Sequence, residues 1–182
     1  MNVGEIKKIG VIGSGQMGNG ITQVAAQVGY MVTMLDVSAA ALEKGLQTIA
    51  SSCDRLIKKA TMMEAQKADL IKKMQTTTQI SDLRDCDIVI EAATENLELK
   101  LKIFKDLDQQ VKSEALLVSN TSSISITKIA GVTRRPSQVA GMHFMNPVPL
   151  MKLVEGIRGL QTSDQTFAAI KALSEKMGKV FV

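Results

Sequence analysis

"KKIGVIGSGQMGNGITQVAAQVGYMVTMLD", residues 7–36, decides the fold. "KKIGVIG" is a short apolar strand, and "QMGNGITQVAAQVG" is a helix of small residues closed by Gly29 at its C-terminal cap. "YMVTMLD" is a second strand. Strand, helix and strand within about 30 residues make the parallel crossover unit. Between the first strand and the helix, "GSGQMG" sets Gly13, Gly15 and Gly18 in G-x-G-x-x-G spacing. Alone the spacing is weak, because Gly-rich turns are common. Here it follows a strand, opens a helix, and has Asp36 ending the next strand, which is the context of a dinucleotide site.

Each residue of that turn has a physical task. Gly13 permits the tight turn, Gly15 lets backbone approach a pyrophosphate, and Gly18 lets the helix pack on the strand. The N–H groups along Ser14, Gln16 and Met17 at the helix start hold the phosphates. Asp36 accepts hydrogen bonds from an adenosine ribose, and its charge repels a 2′-phosphate. No Arg follows it in "DVSA", so NAD is favoured over NADP.

Beyond this unit the pattern predicts a helix from about Ala39 to Ala60. Thr61 and Glu64 then form a capping box opening a second helix, about Met62 to Met74. The two read as a helical hairpin, about residues 39–75, inserted into the alternation. Strands resume with "CDIVIEAA", "ALLVSN", "QVAGMHF" and "MKLVEGI", separated by the helix "LELKLKIFKDLDQQV" and the short helix "ISITKIAG". Thr162 and Ser163 cap a helix running to Met177 and stopped by Gly178, and "KVFV" begins a further strand. The expected fold is α/β: a Rossmann-type, doubly wound, mostly parallel sheet covered on both faces. An apolar half-strand is an unusual place for a domain to stop, so a longer natural protein is expected.

Composition narrows the function. The 182 residues suit one domain, and 45% hydrophobic residues suit a globular one. The net charge of +4 is spread along the chain, and four Phe and one Tyr provide no base-stacking platform, which argues against nucleic acid. The eleven Met residues read as adaptable core fillers. Cys53 and Cys86 match no metal spacing or disulfide framework; no metal is expected, and reduced thiols point to the cytoplasm. The start of the chain has no signal-peptide pattern, and no apolar run reaches membrane-spanning length.

Ligands of such sheets bind at the carboxyl ends of the strands. Three polar clusters fall there: "EAATEN", "SNTSS" and "HFMNP". The last holds His143, the sole histidine of the chain, with Glu155 on the following strand. Taken alone, His143 reads as a satisfied core residue and Glu155 as an edge carboxylate paired with a lysine. Placed at the cofactor edge, with a turn containing Pro147 and Pro149 to bring them together, they read as a base and its orienting carboxylate. Ser122 and Asn146 are then positioned to hold a substrate oxygen. In the hairpin, seven basic residues face four acidic ones between Ser38 and Gln75. Arg55 and Lys59 share one helix face, which reads equally as a phosphate grip or a solvated surface.

Together, "GSGQMGNGI", Asp36, "DIVIEAATEN", "SNTSSISI", "GMHFMNPVPLMKLVE" and the Gly178 turn resemble the 3-hydroxyacyl-CoA dehydrogenases over essentially the whole chain. The resemblance is strongest to bacterial short-chain members acting on 3-hydroxybutyryl-CoA. It implies an NAD domain over residues 1–182, followed by a helical C-terminal domain that mediates dimerisation and that this chain lacks. It implies a His143–Glu155 catalytic pair, with Ser122 contacting the substrate oxygen and Asn146 in the histidine-turn segment, both also expected to contact the cofactor. Glu95 and Lys100 match positions near the nicotinamide half of NAD. Lys59 and Ser52 match the CoA-facing side of the hairpin. Two departures stand out: Met145 replaces a common Phe, and a substrate-contacting Asn of the family belongs to a segment beyond residue 182.

Overall fold

The computed structural model describes residues 3–182, so the first two residues of the expected domain lie outside the described part. Strand β1 (Lys8–Ile12), helix α1 (Gln16–Gln27) and strand β2 (Met31–Leu35) form the crossover unit of the opening stretch. Gly29 has φ +102°, the left-handed cap that ends α1. Helices α2 (Ala39–Lys58) and α3 (Glu64–Lys72) follow, then strand β3 (Met74–Thr77). The remaining elements are β4 (Ile88–Glu91), α4 (Leu97–Gln110), β5 (Leu116–Ser119), α5 (Ile126–Ala130), β6 (Val139–Phe144), β7 (Leu153–Arg158), α6 (Asp164–Lys176) and β8 (Val180–Phe181).

Among the described residues, eight strands form one sheet in the order β3-β2-β1-β4-β5-β6-β7-β8. Pairing is parallel from β3 through to β6, β7 runs antiparallel to β6, and β8 is parallel to β7. Strand β4 shows how the sheet is sandwiched. Ile88 and Ile90 enter one core with Ile21, Val24 and Leu173, while Val89 enters the other with Phe104 and Leu107. Both faces are therefore covered by helices, as the unbroken apolar strands require. Each fully buried aliphatic side chain of this kind contributes about 1.5–3 kcal/mol.

Three expectations are corrected. The hairpin ends earlier than residue 75, because Met74 already belongs to β3, which pairs with β2. Its sequence, "MQTT", is polar because it is a half-exposed edge strand. Thr61 and Glu64 form no capping box: Thr61 Oγ1 donates to Leu56 O, and Gln66 Oε1 accepts from Met63 N at 2.8 Å. Finally, α2 stops at Lys58, two residues before Ala60, which turns to φ +55°. Cys53 and Cys86 are buried free thiols. Among the described residues, no helix is long and apolar enough to cross a membrane.

Candidate functional site

Strand order reverses between β1 and β4, and the crevice above their carboxyl ends is where such sheets take ligands. Gly13 has φ +96°, and a Cβ on it would stand 2.6 Å from Ala92 O. A Cβ on Gly18 would stand 1.8 Å from Gly13 O, so α1 packs on the turn as no larger residue allows. At Gly15 a Cβ would meet nothing within 4 Å. That open space lies at the start of α1, where no side chain caps the helix. The first-turn N–H groups, including those of Gln16 and Met17, are left for an anion. This cradle fits a pyrophosphate. Met17 itself packs its side chain on the core.

Asp36 closes the cradle on the β2 side. Its Oδ2 accepts from Ser14 N and Ser14 Oγ, both at 2.8 Å, and Oδ1 accepts from Ser38 N at 3.3 Å. Partial burial opposes its ionisation, but the bonds from Ser14, Ser38 and the Val37 backbone outweigh it and hold the carboxyl below the ordinary aspartate range. The site keeps a fixed negative charge where a ribose is expected. From Gly13 and Asp36 a cleft of about 560 Å³ extends past Thr94 toward Ile103, a volume that suits a small-molecule site.

On the other side of the crevice, a buried ion network ties three loops together. Glu91, fully buried at the end of β4, accepts from Lys100 Nζ at 2.7 Å, Ala93 N at 2.7 Å and Ser119 Oγ at 2.6 Å. Lys100 is 1% exposed, and its ammonium also lies 3.4 Å from Glu95 Oε2. Glu95 in turn accepts from Thr121 Oγ1, Ser122 N (3.2 Å) and Ser123 Oγ (3.1 Å). Desolvation works against the Glu95 charge, yet the Thr121, Lys100 and Ser123 contacts prevail and lower its pKa. Glu95, Lys100 and Ser122 are thus brought together. The Lys100 side chain lies beneath the loops, while Glu95 and Ser122 stay at the surface. Paired charges buried this deeply fix geometry because either partner alone would be strongly disfavoured.

His143 and Glu155 pair directly across the β6–β7 ladder. Nδ1 of the imidazole lies 2.8 Å from Glu155 Oε2, so in the neutral ring Nδ1 carries the hydrogen and Nε2 keeps its lone pair. The strand register, rather than the Pro147–Pro149 turn, makes the pair; adjacent cross-strand side chains need no further guide. Asn120 anchors the histidine end of β6: its Oδ1 accepts from Phe144 N at 2.8 Å, and its own N–H donates to Glu91 O at 2.8 Å. The ion network and the histidine strand are therefore one connected frame.

Ser52, Lys59 and Asn146 meet in a cleft of about 300 Å³ between α1, α2 and the turn after β6. Gln16 borders both this cleft and the one beside Ser14, Gly15 and Asp36. Thr48, Ser52, Arg55 and Lys59 follow one another along α2 at helical spacing and form one wall. Glu91 and Asn120 are visible in the sequence only as members of the clusters "EAATEN" and "SNTSS", with no role assigned to either; the contacts they make across the fold have no local signal.

Comparison with known proteins agrees with this geometry. The family model described as 3-hydroxyacyl-CoA dehydrogenase, NAD binding domain, matches residues 8–182. A 3-hydroxybutyryl-CoA dehydrogenase of Bradyrhizobium diazoefficiens is 50% identical over 174 residues, which is 96% of this chain and 59% of that protein. A probable 3-hydroxybutyryl-CoA dehydrogenase of Bacillus subtilis is 48% identical over 98% of this chain and 62% of its own length. The crystal structure of an (S)-3-hydroxybutyryl-CoA dehydrogenase from Ralstonia eutropha superposes with a TM-score of 0.96 at 54% identity, covering 98% of this chain and 63% of that one. The chain spans about three fifths of these relatives. It belongs to the 3-hydroxyacyl-CoA dehydrogenase family and carries that family's NAD-binding domain.

Proposed function

We propose that this chain is the NAD-binding part of an enzyme that interconverts (S)-3-hydroxybutyryl-CoA and acetoacetyl-CoA. The observation that carries the proposal is the His143–Glu155 pair, 2.8 Å apart at the strand end beside the nucleotide crevice. The relatives' activities support the substrate. When bound, NAD supplies the hydride acceptor. Gly13, Ser14, Gly15, Gln16, Met17 and Gly18 hold its phosphates, and Asp36 takes the adenosine ribose. Glu95 and Ser122 line the nicotinamide side on the frame that Lys100 supports.

In the oxidising direction His143 Nε2 takes the proton of the C3 hydroxyl. Glu155 holds the ring in the required tautomer and stabilises the imidazolium that forms. Ser122 and Asn146 orient the substrate oxygen, while Ser52 and Lys59 meet the CoA side. In the reducing direction the same nitrogen returns the proton. The remainder of the relatives' length corresponds to a helical domain through which the cytoplasmic enzyme dimerises.

The test is NADH consumption with acetoacetyl-CoA by the protein at its natural length, beside His143→Gln. We expect turnover to fall by about 10²–10⁴-fold with NADH affinity retained. A modest fall would remove the histidine from the chemistry. NADH binding without any consumption would indicate a nucleotide-binding module, and indifference to the CoA moiety would point to a free hydroxy acid as substrate.

A further inference from the structure

Helix α1 carries one side chain that nothing above employs. Gln23 is 1% exposed, and its Nε2 is buried with no hydrogen-bond partner among the described residues. A buried amide in this condition carries a desolvation cost. Thr22 Oγ1 and Tyr30 OH are also buried without partners, but neither residue lines a cleft described here. Gln23 does: it forms part of the inner wall of the cleft that holds Ser52, Lys59 and Asn146.

The chemistry of that cleft is graded. Along α1, Gln16, Asn19 and Gln23 present neutral amides at i, i+3 and i+7, on a helix whose residues from Gly18 to Ala26 are otherwise packed away. Asn19 Nδ2 is committed at 3.4 Å to Ser14 O, whereas Gln23 is uncommitted. Across from them, Arg55 and Lys59 are exposed on α2 and put positive charge on the outer part of the same cleft. Val148 and Leu56 add apolar side chains to the same lining. A ligand matched to this gradient has an anionic group at one end and an uncharged arm that carries an amide.

Resting on the functional reading above, we infer that Gln23 is a specificity-determining residue that pairs with a secondary amide in the acyl carrier arm of the thioester substrate. A single bond meets the need: Nε2–H donates to the carbonyl of the ligand's amide, whose own N–H, trans across the amide plane, points the opposite way. Rotation about χ3, a soft torsion, turns Nε2 toward the cleft. A group that costs stability in the free protein is thereby satisfied on binding. Such a site discriminates against a substrate lacking the polar group, because the buried amide is then left unpaired.

The experiment compares Gln23→Met with the unsubstituted protein at natural length. Two substrates are used: acetoacetyl-CoA and S-propyl acetothioacetate, a thioester with no amide. The selectivity, taken as the ratio of kcat/KM for the two, should fall by about tenfold or more in the variant. Its melting temperature should hold or rise, since an unsatisfied polar group has been replaced by an apolar one of similar shape. An unchanged ratio overturns the assignment. So does a lowered melting temperature with equal losses on both substrates, which would make the amide structural. If the unsubstituted protein fails to consume acetoacetyl-CoA, the functional reading falls and the subsite with it; activity with unaltered selectivity removes the subsite alone.

Discussion

Asp36 does two jobs at one carboxylate. It holds the glycine turn through both the N–H and the hydroxyl of Ser14, and it stays ionised at the position proposed for the nucleotide ribose. Asp36→Ala should therefore weaken NADH binding beyond the loss of a ribose contact, by about 10–100-fold from charge-assisted bonds of this kind. It should also narrow the preference for NADH over NADPH. Fluorescence titration with both nucleotides measures the two effects, and a preserved preference would place the discrimination elsewhere. The residues legible in the sequence share one property: motif spacing and strand context place them in the chain. Gly13, Gly15, Gly18, Asp36 and the His143–Glu155 pair are of this type. Gln23, and the role of Asn120 within its cluster, were not legible because their importance lies in what their polar atoms meet across the fold, or fail to meet.

At the scale of elements, the close approaches differ in what stands in the way. A Cβ on Gly18 meets backbone, Gly13 O at 1.8 Å, whereas one on Gly156 meets the end of the Phe181 ring at 2.0 Å. A ring at the end of a side chain can swing aside, but a backbone carbonyl inside a helix-opening turn cannot. Gly18→Ala should cost at least about 1–3 kcal/mol and lose nucleotide binding, and Gly156→Ala should cost clearly less with binding kept. Urea titration of both variants decides it; equal costs would show that the α1 contact is no tighter in practice than the β7–β8 contact. The apolar strands and amphipathic helices were readable because period and cap residues coincided in them. β3 was not, since "MQTT" at an exposed sheet edge needs no apolar alternation to pair with β2. The α3 start was misread for a related reason: the residue that reaches back is Gln66, two positions beyond the expected Glu64.

For the whole molecule, several carboxylates are held charged by contacts that exist only in the fold. Burial disfavours the charge on Asp87, but Lys112 and the Lys7 and Lys8 N–H groups override it. At Asp108 burial is likewise outweighed by Arg134 and Arg135. With Asp36 and Glu95, these groups have folded-state pKa values below their unfolded ones. Each therefore contributes stability that is fully present above the unfolded pKa, about 4, and is lost as pH falls through the folded value. The urea midpoint should hold level from neutral pH to about 5 and then drop. Asp108→Asn should be less stable near neutrality and show a shallower acid decline; an unaltered decline would assign the acid sensitivity to other groups.

Helix α2 is the wall of two clefts at once, with Lys44 and Gly45 facing the nucleotide side, Thr48 bordering both, and Ser52, Arg55 and Lys59 facing the other. A helix turns about 100° for every residue. One codon gained or lost near the middle of α2 would rotate one half of this row away from its cleft while leaving the other half in place. No single compensating substitution restores the phase. The lineage of this protein can thus change α2 letter by letter but not in length, whereas the short connection after Lys59 lines neither cleft and is held to the core by Met62, which is buried there.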